Sequence, residues 1–312
     1  MIKVLYKYIW KLKTTFLLNR RQRNTPDAEK YWSHYHVNIS YEIKNRNDSL
    51  DFFNWRNSQY PGYLDLMPVK NFDNKKILDY GCGPGHDVVG FIEHGKPGVV
   101  VAADISNKIL NFAESRVKLH QNHNLVEFVR VDDNLFSNYE DNYFDLINCS
   151  GVLHHLADIN LILNEFYRVL KPNGELRVMV YHKDSIWYHL YAPYVLQIVE
   201  KVIPKKFDAD EAFRVSTDGP NCPISLAYTL DSFKKIAMES NFVTELIGIC
   251  GSRHEEQILK KYLNVAILDE RLAINHRNFL KNVSLNLNSI NYGNSYPGIN
   301  LILKLKKTSN ND

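Results

Sequence analysis

The 312-residue chain has no run of about eighteen apolar residues, so its sequence holds no segment of the kind that forms a spanning helix. Cysteine is scarce: the four residues at 82, 149, 222 and 250 make no CxxC pair and no zinc spacing. A disulfide framework is not expected at this size, and the usage fits a reducing cytosol. An excess of one charge is also missing. Lys and Arg number 38 against 35 Asp and Glu, a net of +3, so bulk charge does not mark a generic nucleic-acid binder. No internal repeat interrupts the chain, and a hydrophobic content of 45% suffices for a sizeable core.

Residues 1–23 stand apart, with seven cations (Lys3, Lys7, Lys11, Lys13, Arg20, Arg21, Arg23) and no acid. On a helical wheel Lys3, Lys7 and Lys11 share one face, and Ile2, Leu5, Tyr8, Ile9, Leu12 and Phe16 take the other. Lysines interrupt every apolar stretch a signal peptide would need. Two readings remain: a helix lying on anionic lipid, or a helix packed on its own domain with lysines in solvent. The expected location is cytoplasmic, with peripheral contact at the inner membrane face under the first reading.

Residues 24–72 form an aromatic-rich, helical cap. From 73 to 180 the texture becomes alternating strands and helices: strands at 77–80, 99–103, 126–131, 144–148 and 176–180, with helices through Ile92, over 107–120 and over 161–170, the last stopped by Lys171-Pro172-Asn173-Gly174. Such alternation predicts an α/β fold with a doubly wound parallel sheet. Residues 181–227, broken by Pro193, Pro204, Pro220 and Pro223, read as an insertion over the substrate. Residues 228–306 return to the sheet, with helix 229–239, strand 243–249, a helical insertion at 255–283 and a final strand at 299–305; 307–312 is a polar tail.

Asp79-Tyr80-Gly81-Cys82-Gly83-Pro84-Gly85 sits between a buried strand and a helix, where glycines let backbone approach a ligand and a helix N-terminus offers free N–H groups. The dinucleotide fingerprint needs another glycine where His86 stands, and the lysine of a phosphate loop is absent. Asp104 ends the second strand, where a carboxylate can accept both ribose hydroxyls of a nucleoside. Asp132-Asp133 ends the third, placed to receive an adenine amino group. Taken singly, each Asp is more often a helix cap or turn residue; glycine loop and two acids in this order make coincidence a poor explanation.

These residues bring a family into view. The stretch from Lys76 to Val180 resembles a class I S-adenosylmethionine-dependent methyltransferase: "ILDYGCGPG" is similar to its first motif, "VVAADIS" to its second and "FVRVDDNLF" to its third. "YFDLINCSGVLHHL" followed by "FYRVLKPNGEL" resembles the subgroup acting on quinones, sterols and other small molecules. The resemblance implies a seven-stranded Rossmann-like sheet whose last strand is antiparallel, and S-adenosyl-L-methionine as cofactor. It implies that Gly81, Gly83 and Gly85 line the methionine moiety, that Asp79 stands near the cofactor's amino group, and that Ser150 lies beside it. Asp104 with Ile105 would take the ribose, and Asp132 and Asp133 the adenine. Arg56 is assigned to the methionine carboxylate from charge alone.

Methyl transfer from a sulfonium is an in-line displacement in which alignment and desolvation supply much of the rate. A hydroxyl acceptor also needs a base near neutral pKa, which suits histidine. His155 ranks first, then His182, then His154, all at the carboxyl edge of the sheet; any one of them taken alone is more often structural. Tyr31, Trp55, Tyr60, Tyr181, Trp187 and Tyr188 are candidates for an aromatic wall. No (N/D)PPY follows the fourth strand, no carboxylate cluster suggests a metal, and no stacking groove suggests single-stranded nucleic acid. The expectation is an enzyme, a small-molecule or lipid-linked-intermediate methyltransferase acting by O-methylation. Aminopropyl transfer would want an acid at Ser150. The rival from another class is a non-catalytic cofactor-binding module serving in assembly.

Overall fold

The computed structural model describes residues 28–35, 43–131, 136–286, 289–292 and 296–307. Nine strands occur among them: β1 (Lys76–Tyr80), β2 (Val99–Asp104), β3 (Val126–Arg130), β4 (Phe144–Ser150), β5 (Leu170–Tyr181), β6 (Phe242–Cys250), β7 (Val283–Asn286), β8 (Ser289–Tyr292) and β9 (Asn300–Lys307). β7 and β8 pair as a separate hairpin, and the others form one sheet in the order β3-β2-β1-β4-β5-β9-β6. β1 pairs in parallel with β2 and β4, β2 with β3 and β4 with β5. β9 runs antiparallel to both β5 and β6. This is the doubly wound seven-stranded sheet expected from the sequence, with the last strand reversed.

The central strands read as unbroken apolar runs because both faces are covered. Ile77 and Val100 pack with Val88, Ile92 and Phe53 on one face. Their neighbours Leu78 and Val101 pack with Phe136, Phe166 and Phe233 on the other. The α-helices among the described residues are α1 (Ala28–Trp32), α2 (Arg46–Ser58), α3 (Tyr63–Leu66), α4 (His86–Gly90), α5 (Asn107–Val117), α6 (Ile159–Val169), α7 (Ala209–Asp218), α8 (Leu230–Glu239), α9 (Arg253–Leu268) and α10 (Ile274–Lys281). Side-chain caps mark their starts: Ser106 accepts from Ile109 N, Asp158 from Leu161 N and Asp208 from Glu211 N. A wide-turned helix at Trp187–Val199 packs against α9 and α10 through Leu190, Leu259 and Phe279.

Two elements differ from expectation by more than three residues. β5 begins at Leu170 rather than at Leu176, because Leu170 pairs with Phe144 and carries the chain through Pro172 in extended form. The helical stretch at 255–283 divides between Leu268 and Ile274, where the Asp269 carboxylate accepts the Arg271 backbone N–H at 3.1 Å and its Nε at 2.9 Å. No helix among the described residues is long and apolar enough to cross a membrane. Residues 1–23 lie outside the described residues.

Candidate active site

The strand order reverses between β1 and β4, so a crevice opens at their carboxyl ends. A cavity of about 330 Å³ lies there. The glycine loop turns sharply out of β1 with φ of +71° at Gly81 and +52° at Gly83, both in the left-handed region. Gly81 and Cys82 donate to the Ala103 carbonyl at 2.7 and 2.9 Å, which ties the loop to β2. A Cβ at Gly81 would stand 2.2 Å from Val152, whereas one at Gly83 would meet nothing within 4 Å and project into open space. Asp104 clamps both loops: one carboxylate oxygen accepts from Gly83 N at 3.0 Å and the other from Ser106 N at 2.9 Å. Burial pushes its carboxyl above the usual aspartate value, against the pull of those N–H donors.

Deeper in the crevice two acids converge. Asn148 donates to Asp79 Oδ1 at 2.8 Å and to Asp87 Oδ2 at 3.2 Å. The opposite oxygens, Asp79 Oδ2 and Asp87 Oδ1, are buried without a hydrogen-bond partner among the described residues. Burial, and then the charge of Asp87, pushes the Asp79 carboxyl up to about 8. Arg56 comes no nearer Asp87 Oδ1 than 3.6 Å, and its guanidinium sits 4.4 Å over the Tyr63 ring. Tyr63 in turn shares a hydrogen bond with Ser150. Two carboxylates with spare lone pairs in a closed crevice suit an ammonium group. Glycine loop, Asp104 and this acid pair together fit S-adenosylmethionine, which carries a ribose diol and an α-ammonium.

The other end of the cavity is aromatic, walled by Trp32, Tyr35, Tyr60 and Tyr181 around His155. His155 sits in the single turn 153–155 after β4, with Trp32 against its ring at 4.6 Å between centroids. Its Nδ1 bonds to the Ile224 carbonyl at 2.7 Å. A carbonyl only accepts, so the neutral ring carries its proton on Nδ1 and leaves Nε2 bare. Asp218, fully buried at the end of α7, places Oδ1 at 3.7 Å from that Nε2. Asp218 also accepts from Tyr181 Oη at 3.0 Å and from Ser225 Oγ and Thr217 Oγ1 at 2.7 Å each.

Residues 28–35 roof both ends. Tyr31 Oη donates to the Asp218 backbone carbonyl, Ser33 Oγ meets Ser106 Oγ at 2.9 Å, and Glu29 pairs with Arg130 at 3.0 Å.

The structure thus brings Arg56, Asp79, Gly81, Gly83, Asp104, Ile105, Ser150 and His155 to one cavity. Gly85 lies just behind it, capping α4 against Ala113. Asp132 and Asp133 lie outside the described residues. His154 and His182 are corrections. His154 is fully buried, stacked on Tyr181 at 3.8 Å, and burial holds its ring far below the ordinary histidine pKa. His182 bonds through Nδ1 to the Gly298 carbonyl at 3.2 Å, and burial lowers its pKa too. Neither lines the cavity, so neither faces an acceptor. Trp187 bonds to Ser216 and Tyr188 to Asp210, away from the cavity; Tyr31 and Trp55 stand outside its lining as well. The stretch at 255–283 contributes nothing to it among the described residues. Asp87, Asn148 and Asp218 join the site without being candidates in the sequence. Asn148 had a signal: a polar residue two before Ser150, on the same face of an apolar strand. Asp218 had none.

A family model described as "Methyltransferase domain" matches residues 71–244. An uncharacterized methyltransferase of Schizosaccharomyces pombe is 35% identical over 124 residues, 38% of this chain and 44% of that protein. A ubiquinone/menaquinone biosynthesis C-methyltransferase of Vibrio cholerae is 32% identical over 131 residues, covering 41% and 50%. The chain spans about half the length of the curated relatives it matches. Among solved structures, phosphoethanolamine N-methyltransferase 2 of Haemonchus contortus aligns at a TM-score of 0.50 over 91% of this chain and 61% of that one, with 14% identity, a likeness of fold alone.

Proposed function

The chain belongs to the class I S-adenosylmethionine-dependent methyltransferases, the family whose methyltransferase domain matches it, and from that premise we propose that it methylates a small-molecule acceptor held at the aromatic end of its cavity. The cofactor supplies a methyl group already activated on a sulfonium. The protein's task is therefore to bind, align and keep water out. Asp104 takes the ribose hydroxyls with the lone pairs that Gly83 and Ser106 leave free. Asp79 and Asp87 hold the ammonium, and Arg56 stands within reach of the carboxylate. Trp32, Tyr35, Tyr60 and Tyr181 exclude water from the acceptor.

His155 gives the site its preference for a hydroxyl acceptor. With Nδ1–H committed to the Ile224 carbonyl, its bare Nε2 takes the acceptor's proton as the oxygen attacks, and Asp218 stabilises the charge that forms on the ring. The carrying observation is that a single cavity joins the glycine loop and Asp104 to His155 and the aromatic wall.

Calorimetric titration of S-adenosylhomocysteine into wild type and Asp104→Ala tests the reading. Micromolar binding that the variant weakens by about 2 kcal/mol or more is expected, the scale of a truncated charge-assisted hydrogen bond. No heat and no thermal shift with wild type would remove it. Binding without turnover across an acceptor screen would favour an assembly module instead. We also propose that residues 1–23, basic and amphipathic in sequence, hold the protein on anionic lipid. Equal pelleting of full-length and 1–23-deleted protein with anionic liposomes would end that idea.

A further inference from the structure

Among the described residues, His155, Asp218 and Cys222 form one cluster in which a ligand atom from each lies within 4.8 Å of the other two. We propose that this cluster binds a single divalent, thiophilic cation of the zinc class at the acceptor end of the cavity. Three observations carry the proposal. The Nδ1–H bond to the Ile224 carbonyl is the outer contact that ligating histidines make, and it presents Nε2 as a lone-pair donor. Nε2 and Asp218 Oδ1, both acceptors in the neutral tautomer, face each other at 3.7 Å; two such atoms on a tetrahedral zinc stand roughly 3.4 Å apart. Asp218 is fully buried and steadied by the hydroxyls of Tyr181, Ser225 and Thr217, so its carboxylate is pre-oriented.

Cys222 is the member that must move. Its thiol stands 3.9 Å from His155 Nδ1 and donates to the Ile224 carbonyl at 3.1 Å. Ion binding removes the thiol proton and turns the sulfur away from that carbonyl. Three protein ligands leave an open position, and His155 and Asp218 both border the cavity, so that position faces the acceptor. A hydroxyl or thiol acceptor would coordinate there. Its O–H or S–H bond then breaks with the electron pair kept on the heteroatom and the proton released to solvent. In the loaded protein His155 is a ligand; metal-free, its Nε2 takes the proton itself. The proposal rests on the methyltransferase reading for the acceptor's part, though not for the ion's binding.

The test is an anaerobic titration of chelator-stripped protein with Co²⁺, followed by absorbance. One equivalent bound is expected, with a near-ultraviolet thiolate-to-cobalt charge-transfer band. The band should vanish in Cys222→Ser, and uptake should weaken by more than about a hundredfold in His155→Ala, beyond what outer-shell changes produce. No uptake by wild type would overturn the proposal, since a ring protonated on both nitrogens fills the same gap without a metal. Equal uptake by the variants would overturn it too, by placing the ion elsewhere. Calorimetry with S-adenosylhomocysteine on the same samples reports separately on the methyltransferase reading.

Discussion

Replacing Asp79 by Asn should make the free protein more stable and the cofactor bind less well. The Asp79 carboxyl, ordinarily near 3.8, is pushed up to about 8 by burial and by Asp87. The folded state therefore holds this proton more tightly than the unfolded chain does, and its carboxyl opposes folding increasingly as pH rises from its ordinary value to about 8, then by a constant amount above. At pH 7 the ceiling on that opposition is about 4 kcal/mol, at 1.36 kcal/mol for each unit between 3.8 and 7; relaxation and water entry reduce it. Asn keeps an oxygen for the Asn148 amide and removes the charge beside Asp87. Its Tm should exceed that of wild type by a few degrees at pH 8, with the gap closing toward pH 4. S-adenosylhomocysteine affinity should move the other way, falling about ten- to a hundredfold, the worth of a hydrogen bond to a charged group. Wild-type affinity should also climb with pH toward 8, by up to about tenfold per unit, and level off as the ligand's own amine deprotonates. Scanning calorimetry and titration calorimetry across pH 5–9 measure both. A variant less stable than wild type at pH 8, or one binding within twofold of it, would refute the argument.

Other expectations follow from the same geometry. Gly81→Ala forces an L-residue to φ +71° with its Cβ 2.2 Å from Val152, and should lower stability by about 1–3 kcal/mol and abolish cofactor binding, read by thermal shift with and without ligand. His155→Ala should leave S-adenosylhomocysteine affinity within about threefold but cut turnover by about 10²–10⁴, whereas His182→Ala should lower Tm and spare turnover per folded molecule. Arg116 donates to Ser49 Oγ, Ser49 O and Pro84 O, tying α5 to α2 and to the glycine loop; Arg116→Lys, which cannot reproduce that fork, should destabilise by about 2–4 kcal/mol in denaturant melts.

The sheet and the cofactor half of the site were legible because their signals are local. Buried parallel strands announce themselves as short apolar runs such as Val99–Ala103, and the glycine loop and Asp104 are adjacent to those runs in sequence. The acceptor half was not, because its parts meet only through folding. Asp218 lies 63 positions from His155 and has nothing about it but a turn-forming Gly-Pro behind. His154 and His155 are indistinguishable as letters. One turn of chain sends the first into the core against Tyr181 and the second to the cavity, and only the packed structure tells which is which. Pro172 and Gly174 read as the stop of the preceding helix, whereas the Phe144–Leu170 pairing takes them into β5.

The roof formed by residues 28–35 touches the ribose side at Ser106 and the acceptor side at His155 and Asp218. On the proposed function, one short stretch of chain then serves two binding events. By linkage, whatever affinity the first ligand adds to the second, the second must return to the first in equal measure. Cofactor and acceptor are therefore expected to bind cooperatively, each tightening the other, which titration of one in the presence of the other measures.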